Sequence, residues 1–575
     1  MVWGIARLRG AVAAVLTGLI LVGCGTESEN DSTGQLVAAE SFKVGTAEAL
    51  HNPSGDICVG GGATLCGRRV DASSAEAIAD PLLVKAMAIT GKNGQSFVLA
   101  TTSNIGYFAA YKPEQGGPNG IFDMRSRISQ ETGVPISNIV VVSDHSHNAP
   151  DTIGIWGGVS QDYLRITAEA VVQASVQAVA NQVPAKLFVA AVNQNTQPVA
   201  GVTKVESSAY AAPPAADESR GNPSNEFRVL VAEAAEDGRR LLTWMNYSPH
   251  ATVWNGVATD KLTGDWAAWA TQEAEARYGG RGLATLGTMG GTDWNKGEGG
   301  AQEREVEARG RLLRLLEAAE KNLQPVIGED VLVQTTFIRE SIAQPVLLLN
   351  YKPGLPTNQP GTPGDGVDVR IDRTLTPPFL QGTVFGTHIS AIAIGEVFIS
   401  TFPGEPFGEL EHVLREQQRV MGAQAYFVLG AANDFFGYMV HEPETYAQLF
   451  EGGAAWLAGC PETEILDSLG VAKEPGCADH WTLMVSPSIG THIICTLQDA
   501  AQALGFEVQN RNAECPVLTA LDGVAGPEDL PMLPSGAWDQ SHPAVAALAK
   551  EALKECASRG ALSSLCANLV DIRYP

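Results

Sequence analysis

The chain has 575 residues, of which 45% are hydrophobic and 18% are charged, so it can bury a large core and is not a disordered protein. Its formal net charge is −26 and no basic patch stands out, which argues against nucleic acid as a partner. By length alone the chain has room for two to four domains.

The N-terminus predicts export and a lipid anchor. An apolar stretch, too short for a comfortable membrane span, follows two arginines and ends in Leu-Val-Gly-Cys, which resembles a bacterial lipobox. We predict that residues 1–24 are a lipoprotein signal peptide with Cys24 as the lipidated residue, and that residues 25–42 are a polar tether. This places the protein in the bacterial cell envelope, at the outer membrane if the cell has one. An ordinary secretory signal is the alternative.

Strands alternate with helices through residue 450. Apolar runs such as PLLVKAMAIT, SNIVVVS and AKLFVAAVNQN predict strands, and FRVLVAEAAEDGRRLLTWMNYSPH predicts a hairpin with an Asp-Gly turn. QDYLRITAEAVVQASVQAVANQV and QEREVEARGRLLRLLEAAEKNL predict helices, and AQAYFVLGAANDFFGYMV predicts another strand run. The alternation predicts an α/β fold, with one large domain over residues 43–455 whose mixed β-sheets are flanked by helices.

Eight cysteines remain beyond Cys24, and an even number in an exported chain favours disulfides over a metal site. No Cys-x-x-Cys pair occurs, which argues against a zinc site made of thiolates. Six of the eight lie after residue 455, so we predict that residues 456–575 are a disulfide-stapled extension packed on the large domain. The sequence does not fix the connectivity, although neighbours along the chain suggest Cys58 with Cys66, Cys460 with Cys477, Cys495 with Cys515, and Cys556 with Cys566.

Four apolar runs lead to side chains that zinc accepts as ligands. His145 and His147 follow the first run, His250 the second and Glu405 the third, and Tyr438 lies in the fourth. Residues at the ends of neighbouring strands can converge on one pocket. Because positions i and i+2 of a strand face the same side, we expect the first two histidines to share that pocket. Each signal alone is weak, since a lone His-x-His is more often structural.

The order and setting of these residues resemble the neutral (non-lysosomal) ceramidase family over residues 43–455. The matching pieces are VGTAEA, ADPLLVKAMAI, His-Ser-His followed by Pro150, LLTWMNYSPHATV with LTGDW, TFPGE, and NDFFGYMVHEPETYAQLFEGG. The resemblance implies hydrolysis of a lipid amide, ceramide to fatty acid and sphingoid base, at a membrane surface. It also implies that His147 contacts the substrate amide, and that one zinc ion per chain is held by His145, His250, Glu405 and Tyr438.

The chain departs from the family pattern on the substrate side of the site. The family carries a Ser beside the metal, whereas the corresponding stretch TMGGTDWNK has none, and Thr292 and Asp293 become the nearest candidates for a catalytic role. One family Tyr is replaced by Phe450, a candidate substrate-binding residue, and another by Phe435. A substrate-holding Arg has no clear counterpart in residues 190–215. The usual C-terminal β-sandwich is replaced by the Cys-rich extension.

Three functions therefore stay open. The first is a zinc-dependent, ceramide-like amidohydrolase, in which the second histidine of His-x-His donates to the oxyanion or to the leaving amine. The second keeps the fold and the metal but cleaves an ester or another N-acyl compound. The third is a lipidated surface protein that binds lipid without hydrolysis. No Gly-x-Ser-x-Gly elbow occurs, which argues against a serine hydrolase, and no protein partner is predicted.

Overall fold

The computed structural model describes residues 42–61, 66–109, 111, 119–154, 156–207, 224–296, 299–341, 384–415, 420–439 and 489–509. The predictions for the lipid anchor, for most of the tether and for most of the C-terminal cysteines fall elsewhere in the chain. Outside the described residues lie Cys24, Phe450, Cys460, Cys477, Cys515, Cys556 and Cys566.

The described residues form nineteen strands and six α-helices. The strands are β1 (Phe42–Leu50), β2 (Asp56–Cys58), β3 (Arg69–Asp71), β4 (Leu83–Thr90), β5 (Ser96–Thr102), β6 (Ile139–Ser143), β7 (Val183–Asn193), β8 (Glu206–Ser207), β9 (Glu226–Ala234), β10 (Arg240–Tyr247), β11 (Arg281–Leu286), β12 (Thr292–Asp293), β13 (Gln324–Pro325), β14 (Val331–Ser341), β15 (Val384–Ile394), β16 (Val397–Thr401), β17 (Glu405–Pro406), β18 (Ala425–Leu429) and β19 (Tyr438–Met439). The helices are α1 (Ile121–Thr132), α2 (Gln161–Ala180), α3 (Asp265–Tyr278), α4 (Ala301–Glu320), α5 (Gly408–Arg415) and α6 (Ile489–Ala503). None of these helices has the length and apolarity that crossing a membrane requires.

A nine-stranded mixed sheet forms the centre of the fold. Its strand order is β11-β10-β9-β7-β1-β4-β5-β6, with β13 paired to β7. The β5–β6 and β10–β11 pairs are parallel and the other pairs are antiparallel. All five residues of β6 are buried, as expected for a strand covered on both faces.

A second, four-stranded sheet with the order β14-β15-β16-β18 packs against the large sheet. The two sheets share one apolar core, in which the ring centroids of Trp244 and Phe427 lie 4.6 Å apart. Helices α1–α4 cover the other face of the large sheet, and α5 and α6 cover the other face of the small one. The result is a four-layer α/β/β/α arrangement, and the predicted α/β fold of mixed sheets flanked by helices is confirmed.

Two further predictions concern the ends of this fold. The suggested disulfide between Cys58 and Cys66 is confirmed. Cys495 in α6 is also disulfide-bonded, and its partner lies outside the described residues. Helix α6, which belongs to residues 456–575, packs against β14, β15 and α5.

The prediction of a continuous strand run over residues 423–440 is wrong. Strand β18 ends at Leu429, and Ala431 and Asn433 then adopt positive φ angles of 49° and 61°. The backbone N–H of Asn433 donates to the carbonyl of Val141 at 2.8 Å, and its side-chain oxygen accepts from the N–H of Val141 at 3.0 Å. Asn tolerates the left-handed region better than most residues. Residues 431–433 therefore form a turn that packs beside β6, and the chain then forms the short strand β19.

Candidate metal centre

Three separate segments deliver His145, His250 and Glu405 to one buried point. His145 follows β6, His250 follows β10, and Glu405 begins β17. The two imidazole ring centroids lie 5.0 Å apart. Oε2 of Glu405 lies 3.0 Å from Nε2 of His250 and 3.4 Å from Nε2 of His145. All three side chains are almost completely buried. One carboxylate oxygen therefore faces the same nitrogen of both rings.

His145 reaches this point through a turn and not through strand alternation. Strand β6 ends at Ser143, and His145 has a left-handed φ of 52°. Its Nδ1 lies 2.5 Å from the carbonyl oxygen of Ile105, which can only accept, so Nδ1 carries a proton and Nε2 is the nitrogen that faces Glu405. The ring of Phe435 stacks on the imidazole with centroids 5.4 Å apart. We expected His145 and His147 to face one pocket because alternate residues of a strand share a face. That reason is wrong, because neither residue lies in a strand.

His250 is held by strand β12, and the loop between β11 and β12 packs beside it. Its backbone N–H donates to the carbonyl of Thr292 at 2.9 Å, and its ring Nδ1 lies 3.3 Å from the same oxygen. Nδ1 therefore carries a proton, and Nε2 points toward Glu405. The loop comes very close, because a Cβ added to Gly290 would meet the carbonyl oxygen of Glu405 at 2.4 Å. Only glycine fits at that position.

The third histidine, His147, lies against the first two. Its ring centroid is 5.1 Å from that of His145 and 5.5 Å from that of His250. One nitrogen from each of the three rings lies within 4.8 Å of the others. Both ring nitrogens of His147 are buried and have no hydrogen bond with any residue that the structure describes. Buried polar atoms of this kind are normally satisfied, so they point to a ligand or a water molecule.

The charges at this point favour binding of a cation. Burial opposes ionisation of Glu405, but the two facing imidazoles outweigh it and hold the pKa of this carboxyl well below its usual range. Burial lowers the pKa of His250, and the Glu405 carboxylate more than offsets this, so the pKa lies above its usual value. Burial, with the neighbouring His145 and His250, holds the pKa of His147 well below its usual value, so His147 is neutral. A divalent cation could replace the proton between His250 and Glu405.

Tyr438 lies beside Glu405 in the sheet. Strands β17 and β19 pair in parallel, with Glu405 opposite Tyr438. The tyrosine is 7% exposed, and its ring contacts that of Phe407 edge to face at 5.8 Å between centroids. The strand register therefore places Tyr438, the predicted fourth ligand, directly opposite Glu405.

The solved structures that resemble the chain include two ceramidases. One is the crystal structure of neutral ceramidase from Pseudomonas aeruginosa, with a TM-score of 0.57, 16% identity, and coverage of 83% of this chain and 77% of that one. The other is a ceramidase complexed with C2, with a TM-score of 0.55, 15% identity, and coverage of 84% of this chain and 78% of that one. The chain has the neutral ceramidase fold. No protein-family model matches the chain, and no curated protein matches it.

Within the neutral ceramidase fold, the loop that lacks the family serine lies beside His250. The hydroxyl of Thr292 donates to the carbonyl of Thr288 at 2.9 Å, so this side chain is engaged within its own loop. The side chain of Asp293 accepts a hydrogen bond from the hydroxyl of Thr252 at 3.2 Å. Thr292 thus acts on the site through its carbonyl oxygen, which orients His250.

Several contacts that shape the site had no clear signal in the sequence. The carbonyl of Ile105 accepts from Nδ1 of His145, and Phe435, noted only as the replacement of a family Tyr, stacks on the same ring. Arg68 donates to the carbonyl oxygen of His147 at 2.8 Å. These groups come from three distant segments, and a backbone carbonyl leaves no mark on residue identity.

A buried ionic cluster fixes the helix that follows Glu405. The Arg228 guanidinium binds Glu226 of its own strand, with Nη2 and Oε2 2.7 Å apart, and also binds Glu411 of α5. Arg415 of α5 contacts Glu411 at 3.0 Å between Nη1 and Oε1, and it contacts Glu226 as well. The side chain of Arg228 is fully buried. The cluster therefore ties α5 to β9.

Replacing Arg228 with Met should lower the free energy of unfolding by roughly 3–5 kcal/mol, because it leaves Glu226 and Glu411 as buried charges with fewer partners. Urea unfolding of the two proteins measures the difference. Arg127→Met is the control, because Arg127 pairs with Glu169 at the surface and its loss should cost less than about 1 kcal/mol. Equal effects of the two substitutions would contradict a structural role for the cluster.

Proposed function

We propose that the chain is a zinc-dependent hydrolase that cleaves a ceramide-like N-acylsphingosine into a fatty acid and a sphingoid base. The observation that carries the proposal is the arrangement of His145, His250 and Glu405. The Nδ1–H of each histidine donates a hydrogen bond to a backbone carbonyl, and Nε2 of each faces one carboxylate oxygen. This is the tautomer that metal-binding histidines adopt when a carbonyl orients them. The fold shared with two solved ceramidases supports the substrate class.

The donor set fits zinc. Zinc binds imidazole nitrogen and carboxylate oxygen at about 2.0–2.2 Å, and its catalytic sites leave one position open. His145, His250 and Glu405 would hold the ion, with Tyr438 as the predicted fourth ligand. When bound, zinc supplies Lewis acidity toward an amide carbonyl and toward water. His147 offers an alternative third nitrogen, since its ring lies within reach of both other histidines.

The chain's own residues then orient the substrate and donate a hydrogen bond to it. His147 is a neutral imidazole with one N–H and one free lone pair, and neither is used by the described residues. Its N–H can donate to the oxyanion that develops on the amide carbonyl or to the departing amine. The burial of His145, His250 and Glu405 keeps bulk water away and strengthens these electrostatic contacts.

The test of this function is release of free sphingoid base from a defined ceramide by the purified full-length protein. We expect release with zinc present and its loss after treatment with a zinc chelator, followed by recovery when zinc is restored. Release that is insensitive to the chelator would overturn the metal assignment. No release from folded, zinc-loaded protein would overturn ceramide as the substrate.

An ester or another N-acyl compound is a second candidate substrate, because the substrate side of the site differs from the family pattern. The stretch that corresponds to the family's serine loop has no serine, and the hydroxyl of Thr292, one of the two nearest candidates, is bonded within its own loop. Lipid binding without hydrolysis is the alternative function. We further propose that the substrate is met at a membrane surface, to which Cys24 would anchor the protein in the cell envelope.

A further inference from the structure

Arg68 carries buried hydrogen-bond donors that the protein does not use. Its Nη1 donates to the carbonyl oxygen of His147 at 2.8 Å and to the side-chain oxygen of Asn255 at 3.3 Å. Its Nε and Nη2 are buried and make no hydrogen bond with the described residues. Burial lowers the pKa of Arg68, as expected for a guanidinium without a carboxylate partner.

Buried guanidinium donors without acceptors destabilise the folded protein unless a ligand accepts their hydrogen bonds. A buried donor without a partner costs about 1–3 kcal/mol, and a charged donor costs more. The chain has 64 acidic residues against 38 Lys and Arg, so an acidic partner would be easy to supply. No carboxylate in the described part of the chain forms an ion pair with Arg68. The guanidinium fork matches a carboxylate with two parallel hydrogen bonds.

The position of Arg68 links it to the metal centre. It is bonded to the backbone of His147, whose two ring nitrogens are also buried and without partners among the described residues. The disulfide between Cys58 and Cys66 closes the loop just before Arg68. Within that loop Gly61 lies on the imidazole of His147, so closely that an added Cβ would come within 2.1 Å of Nδ1. Gly61 and Arg68 thus contact the same histidine, the first at its imidazole and the second at its backbone carbonyl.

We propose that Arg68 binds the carboxylate of N-acyl amino acids, which makes these compounds a further substrate class of the site beside the ceramide-like amides. In an N-acyl amino acid the carboxylate is one carbon away from the amide nitrogen. A molecule that places its amide at His147 therefore carries an acceptor suited to Nε and Nη2 of Arg68. The hydrolytic step rests on the proposed function, whereas recognition of the carboxylate does not.

The experiment compares two non-hydrolysable probes on the zinc-loaded, full-length protein by calorimetry. They are the ketone isosteres of N-octanoylglycine and of N-octanoylethanolamine, in which a methylene replaces the amide nitrogen. We expect the native protein to bind the acid at least about tenfold more tightly than the alcohol. Arg68→Gln should remove this preference while changing affinity for the alcohol less than about threefold, and Arg68→Lys should restore part of it.

The matched control is Arg69→Gln, since Arg69 lies at the surface and pairs with Asp56. It should leave both affinities unchanged. Equal weakening of both probes in Arg68→Gln would overturn the proposal, because it would mean that Arg68 only supports His147. Lack of preference in the native protein would overturn it as well. An Arg68-dependent preference without turnover of the corresponding amides would support carboxylate recognition and contradict cleavage of N-acyl amino acids, whereas the ceramide assay tests the proposed hydrolase separately.

Discussion

Replacing His145 or His250 with Ala should lower kcat/KM for ceramide by about 10³-fold or more and should remove zinc from the protein. The reason is geometric, because Oε2 of Glu405 faces Nε2 of both rings, at 3.4 Å and 3.0 Å. Loss of either ring leaves too few donors at this point to hold the ion. Steady-state kinetics and the zinc content per chain measure the two effects together.

The control for this pair is His412→Ala on α5, because His412 is only half-buried and lies outside the cluster. It should retain both zinc and activity. A His145→Ala protein that keeps the full zinc content would contradict the proposed ligand set. Retained zinc with lost activity would instead assign this ring to the substrate.

Replacing His147 with Ala should leave zinc bound, unlike the two substitutions above, and should lower kcat by about 10²–10³-fold. The expectation follows from its two ring nitrogens, which have no hydrogen-bond partner among the described residues, so that the N–H of the neutral ring is free to donate to the reacting amide. Zinc content is the decisive measurement, and kcat and KM separate chemistry from binding. Loss of zinc in this variant would show that the three histidines bind the metal together.

The convergence of the site could be foreseen from the sequence because each ligand candidate follows an apolar run. His145, His250 and Glu405 come from three different strand ends, and the structure brings them to one point. What positions them could not be foreseen. The left-handed turn at His145 and the carbonyl of Ile105 depend on how distant loops pack, and residue type does not specify that packing.

Helices and strands were largely predictable, but the pairing of the strands was not. Runs such as Val397–Thr401 alternate their contacts, with Ile399 in the core between the sheets and Phe398 in the core under α5 and α6. A strand that is buried on both faces is a continuous apolar run, and the run does not show which residue belongs to which core. The packing of two sheets on each other could therefore not be predicted. The failed strand prediction over residues 423–440 has a related cause. The N–H of Val141 in β6 is bound by the side-chain oxygen of Asn433 and not by the backbone of a neighbouring strand.

Arg68 illustrates the limit for the substrate side of the site. The sequence places it two residues after Cys66 but gives no reason to connect it with His147, which lies 79 residues further along the chain. The connection exists only in the folded chain, where Gly61 packs on the imidazole of His147 and Arg68 reaches its carbonyl oxygen.

The most direct test of the metal centre is an anomalous-difference map from crystals of the full-length protein, recorded on both sides of the zinc absorption edge. A zinc peak between Nε2 of His145, Nε2 of His250 and the carboxylate of Glu405 is the expected result. Absence of zinc from that point in folded, active protein, or a peak held by other residues, would contradict the account.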